Sequence, residues 1–131
     1  MFISILLYAA IGVTLELIFN AIRCKTSWSL KGSVSIWMLP IYGVGLTYGF
    51  DLIQFIMTQI NSPRYIQWLT YPLWVWAVEI VIGLPTGNKL WDYSLIKYNW
   101  RGVISLKHYP AWLIFGVIIE HLRMYTDPIL L

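Results

Sequence analysis

An all-α membrane fold, a polytopic bundle of four transmembrane helices, is what this sequence predicts. The first observation is composition. The chain is 59% hydrophobic and only 11% charged, where a soluble domain carries about 25% charged residues. Mean hydropathy is +0.67, and 8 Trp and 9 Tyr suit a protein with two membrane interfaces, where amphipathic rings settle. The second observation is patterning. Four apolar runs lie at 2–22, 34–60, 65–85 and 104–125, each near or above the ~20 residues that cross a hydrocarbon core of ~30 Å. Lipid admits only helices or closed barrels, and no strand-like alternation is evident. At 131 residues a single membrane domain, 1–131, is expected.

The first run has no basic segment ahead of it, and Glu16 and Asn20 interrupt it. It therefore reads as a retained helix rather than a cleaved leader. Cys24, the sole cysteine, excludes an internal disulfide or a thiolate cage. It reads as filler at a helix end, with reversible acylation as the alternative. Pro40 and Pro110 fall a few residues inside their runs, so helices two and four kink or begin there. Gly45-x-x-x-Gly49 is a helix-packing signal. Asn61-Ser62-Pro63-Arg64 is a tight turn that makes runs two and three an antiparallel hairpin. The longest connection, 86–103, opens the most polar long segment, Trp91 to Trp112.

Loops one and three carry Arg23, Lys25, Lys31, Lys89, Lys97, Arg101 and Lys107, against Arg64 and Arg123 on the other side. The positive-inside rule places loops 23–33 and 86–103 in the cytoplasm or an organelle matrix, with both termini opposite. The net charge of +3 sits mainly in these loops, and nucleic acid is not an expected partner.

An internal duplication is expected. Tyr8 to Glu16 matches Tyr71 to Glu79, and Lys31-Gly32, Ser35, Pro40 and Tyr42 match Arg101-Gly102, Ser105, Pro110 and Trp112. This implies two parallel helix-loop-helix repeats, about 1–60 and 65–125, related by an axis along the membrane normal.

Glu16, Asp51, Glu79 and Glu120 lie inside apolar runs, where a carboxylate costs at least ~2.5–3.5 kcal/mol at mid-bilayer. They fall on small-and-polar stripes: Gly12, Glu16, Asn20; Pro40, Gly43, Thr47, Asp51, Gln54; Pro72, Trp76, Glu79, Gly83; and Trp112, Gly116, Glu120. Membrane helices turn such stripes toward each other. For Glu16 and Glu79, a polar ligand site or proton relay stands beside a purely structural hydrogen-bonding role. For Asp51 and Glu120 the structural role leads, with Arg123 as the i,i+3 partner of Glu120. His108 with Glu79 or Asp92 supplies acid–base chemistry on paper, as does a set of Ser94 or Ser105 with His108 and Asp92. Nothing in the spacing positions them, no paired-His metal spacing exists, and no metal or cofactor is expected.

Trp91-Asp92-Tyr93-Ser94, followed by Asn99, Gly102, Ile104, Leu106, Pro110 and Trp112, resembles the motif of the ABC-transporter type IV (CmpB-like) membrane family and of the related animal transmembrane-protein-229 proteins. Glu16, Trp28, Gly32, Ser35, Trp37, Pro40, Tyr42, Gly43, Glu79, Gly83 and Glu120 fit the same pattern across nearly the whole chain. Leu90 stands where many members carry proline. The resemblance implies a small multi-pass membrane protein. No nucleotide-binding G-x-x-x-x-G-K-[ST] motif is present.

Binding or translocation of a small polar or cationic ligand is the expected function, through Glu16 and Glu79, with Asp92 and Arg101 shaping the cytoplasmic mouth and Trp91, Tyr93 and Glu120 as further binding residues. The alternatives are a lipid-headgroup enzyme using Glu79, Asp92 and His108, and a non-catalytic subunit of a larger complex. Membrane lipids are the expected partners, with other membrane subunits or a second copy also admitted.

Overall fold

A computed structural model describes residues 1–23 and 34–130. The basic loop bearing Cys24, Lys25, Trp28, Lys31 and Gly32 lies outside the described residues, as does the half of the duplication match that falls there. The described chain is mostly helical, with one short hairpin. Its elements are α1 (Phe2–Arg23), α2 (Met38–Val44), a π-helical stretch (Gly45–Gly49), α3 (Phe50–Gln59), α4 (Arg64–Thr86), β1 (Asn99–Trp100), β2 (Ile104–Ser105), a 3₁₀ turn (Leu106–His108) and α5 (Tyr109–Leu130). The chain divides into two compact units, residues 1–52 with 129–131, and residues 53–128.

Among the described residues, three helices are long and apolar enough to cross a membrane: Phe2–Ile22, Met38–Gln59 and Arg64–Thr86. Of the four expected spans, three meet this measure of length and apolarity. The fourth helix, α5, has 22 residues, but Glu120, His121, Arg123 and Asp127 on its second half leave it insufficiently apolar. It also begins five residues later than the apolar run, because Ile104 and Leu106 belong to the hairpin and the turn after it.

In the first unit, α1 packs against α2. Gly12 makes this possible: a Cβ there would stand 2.7 Å from Cβ of Tyr42, so only a bare backbone lets the tyrosine ring lie against α1. Pro40 sits in the first turn of α2, where a missing N–H costs nothing. Two sequence expectations fail on the next stretch. Gly45-x-x-x-Gly49 is not a close-packing site among the described residues, none of which lies within 4 Å of a Cβ built on Gly45. The two glycines instead flank a π-helical turn, and the Thr47 hydroxyl donates to the Gly43 carbonyl at 2.7 Å. Such a turn shifts the face of everything after it. Gly43 and Thr47 are buried, while Asp51 is exposed rather than turned inward with them.

In the second unit, α4 and α5 run antiparallel, and a ladder of contacts records their register. Gly83 meets Val103. Trp76 meets Tyr109 with ring centroids 5.8 Å apart. Tyr71 lies on Gly116, where a Cβ would come within 2.7 Å of the tyrosine Cβ. Arg64 reaches Glu120 at 2.9 Å.

Candidate functional site

The site is assembled where α4 ends. Gly87 stops the helix in the left-handed conformation (φ 60°), and Asn88 N–H donates to the Gly83 carbonyl at 3.2 Å, the usual way of satisfying last-turn carbonyls. Residues 87–108 then fold into a cap. Asp92 opens it: its Oδ1 accepts from Ser94 N–H at 2.9 Å, an Asx-turn. Tyr93 N–H donates to the Gly102 carbonyl at 2.8 Å, tying the two ends of the segment. Asn99 is the hub. Its Nδ2 donates to the Ile96 carbonyl at 2.8 Å and its Oδ1 accepts from Gly102 N–H at 2.9 Å. The hairpin pairs Asn99 with Ser105 and Trp100 with Ile104. It turns through Arg101 and Gly102, both left-handed (φ 53° and 69°), closed by Val103 N–H on the Trp100 carbonyl at 3.0 Å. The indole of Trp91 packs on Gly83 and donates to the Val103 carbonyl at 2.9 Å, fastening the cap to α4.

Beneath the cap lies Glu79. It is buried on α4, and Tyr93 donates its hydroxyl to Oε1 at 2.8 Å. The Tyr93 ring meets the buried His108 ring edge-on, with centroids 4.9 Å apart. Trp76 lies one turn before Glu79 on the same face, and its Nε1 is buried with no partner among the described residues. Trp112, one turn beyond His108 on α5, has the same property, as does the hydroxyl of Ser105. The cap end of this unit therefore gathers a carboxylate, an imidazole, a phenol and three buried donors. A nucleophile set of Ser105 and His108 is not assembled, because Ser105 Oγ makes no hydrogen bond to a described residue.

Glu120 occupies the opposite end of the α4–α5 pair. It accepts from Trp68 Nε1 at 2.5 Å and from the Tyr71 hydroxyl at 3.0 Å, and pairs with Arg64 at 2.9 Å. The expected partner Arg123 instead donates to Asp127 at 2.9 Å, one helical turn on. The donors to Glu120 come from 49 to 56 residues earlier in the chain, so spacing along one helix could not disclose them.

Glu16 belongs to the first unit. Tyr42, its ring lying on Gly12, donates its hydroxyl to the Glu16 carboxylate. The second oxygen, Oε2, is buried with no partner among the described residues. Of the expected site residues, Glu79, Trp91, Asp92, Tyr93 and Arg101 converge on the cap, Glu120 lies at the other end of that unit, and Glu16 stands in its own. Sequence reasoning missed Asn99 as the hub and Tyr42 and Tyr71 as the hydroxyl donors. A signal existed for the tyrosines, since each faces a glycine one turn before a glutamate.

No solved structure matches the chain. Three helices able to cross a bilayer, joined to membership of a transporter-related family, make this an integral membrane protein. The family described as Putative ABC-transporter type IV matches residues 3–129, and the chain belongs to that family.

Proposed function

We propose that this chain binds or translocates a small polar or cationic ligand through interior carboxylates, with Glu79 as the principal one. The observation that carries the reading is the Tyr93–Glu79 hydrogen bond at 2.8 Å. A membrane carboxylate needs hydrogen-bond partners, and one of this carboxylate's is supplied by a residue of the cap. Movement of the cap would withdraw the Tyr93 hydroxyl from Glu79, beside which stand the aromatic rings of Trp76, Tyr93 and His108. A carboxylate with aromatic faces is the chemistry that holds an organic cation, by charge and by attraction to ring quadrupoles. Glu16, with an oxygen that no described residue partners, is the second candidate carboxylate. Trp91, Asp92 and Arg101 shape the mouth, and Glu120, held by three donors, anchors the far end.

The same reading takes α5 as a fourth crossing segment. Its charges are matched internally by Arg64–Glu120 and Arg123–Asp127, which lowers their cost in lipid. It takes the chain as one membrane domain of two parallel repeats, about 1–60 and 65–125, with loops 23–33 and 86–103 on the cytoplasmic or matrix side. Lipids are its partners, with other membrane subunits or a second copy.

The test is a titration of the detergent-solubilised protein with tetramethylammonium chloride, read by tryptophan fluorescence, with sodium chloride as the control. A saturable response is expected in the parent. In Glu79→Gln it should weaken about tenfold or more, a loss of roughly 1.4 kcal/mol; Glu16→Gln should weaken it too. A Glu79→Gln protein that responds as the parent does would end this reading.

A further inference from the structure

The outward face of the cap has a composition that the Glu79 site does not account for. Leu95 is 100% exposed, and Tyr98, Trp100 and Leu106 are also exposed. Among them stand Lys89, Lys97, Arg101 and Lys107, all exposed, and none makes an ion pair with a described residue. Two of the cations lie over their neighbours' rings: Lys97 Nζ is 4.9 Å from the Tyr98 centroid, and Arg101 Cζ is 5.2 Å from that of Trp100. The one carboxylate in 87–108 is Asp92, and it accepts from the Ser94 backbone through Oδ1.

The backbone presents these side chains in a fixed way. Tyr98 and Arg101 both have positive φ, 64° and 53°, a conformation uncommon for residues with a Cβ. Each is pinned through its carbonyl, Tyr98 by Leu106 N–H at 3.0 Å and Arg101 by Asn88 Nδ2 at 2.9 Å. The cap continues directly from a membrane-length helix ending at Thr86, which puts it at headgroup depth.

We propose that this outer face is a binding surface for anionic phospholipid headgroups of the leaflet at which α4 ends. Leu95, Tyr98, Trp100 and Leu106 enter the interface, where amphipathic rings settle. Lys97, Arg101 and Lys107 meet the phosphates beside them. Four cations against one carboxylate give the charge complementarity, and basic residues near a membrane surface favour anionic lipid additively. The surface shares Arg101 with the mouth proposed for the Glu79 site, while Lys97 and Lys107 belong to the surface alone.

The experiment uses the full chain in nanodiscs of phosphatidylcholine mixed with phosphatidylglycerol. Lipid retained through detergent purification is quantified by mass spectrometry. Phosphatidylglycerol should be enriched over the bulk ratio, and each basic residue removed should lower that preference by up to about fivefold. The triple variant Lys97→Gln, Arg101→Gln, Lys107→Gln should retain the two lipids near the bulk ratio, while Arg101→Lys keeps the enrichment. Should the triple variant misfold by circular dichroism, Lys107→Gln alone must still lower the enrichment. Retention at the bulk ratio in the parent, or unchanged enrichment in the folded variants, would overturn the proposal and leave the basic patch to a protein partner.

Discussion

The ring of Tyr71 lies against the bare backbone of Gly116, and from there its hydroxyl donates to Glu120, one helical turn along, at 3.0 Å. The first unit repeats the device: Tyr42 lies on Gly12 and donates to Glu16. In both, Gly-x-x-x-Glu on one helix admits a tyrosine from its partner helix. The two sets do not occupy matching positions in the expected duplication, which aligns Glu16 with Glu79.

Alanine at either glycine should therefore be costly. Gly116→Ala and Gly12→Ala each force a methyl into a tyrosine ring, and overpacking of this kind costs about 1–3 kcal/mol. Thermal unfolding in detergent should show both less stable than the parent, with Gly45→Ala nearly neutral because its surroundings are open. Equal losses at all three positions would contradict the contacts described.

Glu120 and Arg64 should respond unequally although they pair. Glu120→Ala strands the Trp68 and Tyr71 donors as well as Arg64, and cross-helix hydrogen bonds in membranes contribute about 0.6–2 kcal/mol each. Arg64 is half-exposed, and its truncation should cost no more than about 1 kcal/mol. Thermal melts of the two variants decide the order.

Asn99→Ala should loosen the cap without unfolding the helices. It removes the bonds to Ile96 and Gly102, each contributing about 1 kcal/mol. Limited trypsin digestion should then cut faster at Lys97 or Arg101, while helical circular dichroism is kept.

Much of the architecture is legible in the sequence, and the failures have physical causes. The stripe Pro72, Trp76, Glu79, Gly83 needs only helical spacing, and it is the face that α4 turns to the cap and α5. Pro110 marks the start of α5, since proline is tolerated in a first turn. The hairpin is hidden because Tyr98 and Arg101 take left-handed conformations that ordinarily belong to glycine or asparagine. Asp51 is misplaced by helical periodicity because a π-helical turn is invisible to a 3.6-residue period. The donors to Glu120 escape because they come from another helix.

The orientation is open to a direct check. With Cys24 replaced by Ser, a cysteine at Leu95, which is fully exposed, should react with a membrane-impermeant maleimide only from the cytoplasmic or matrix side. Reaction from the opposite side would reverse the placement argued from Lys and Arg.

The central claim is that Glu79 exchanges its Tyr93 partner for a cation. Infrared difference spectra of the reconstituted protein, recorded on adding tetramethylammonium chloride, test it most directly. The account predicts a shift of a carboxylate stretch together with a tyrosine C–O band, the carboxylate feature absent in Glu79→Gln and the tyrosine feature absent in Tyr93→Phe. A difference spectrum without a carboxylate feature, or one unchanged by Glu79→Gln, would contradict it.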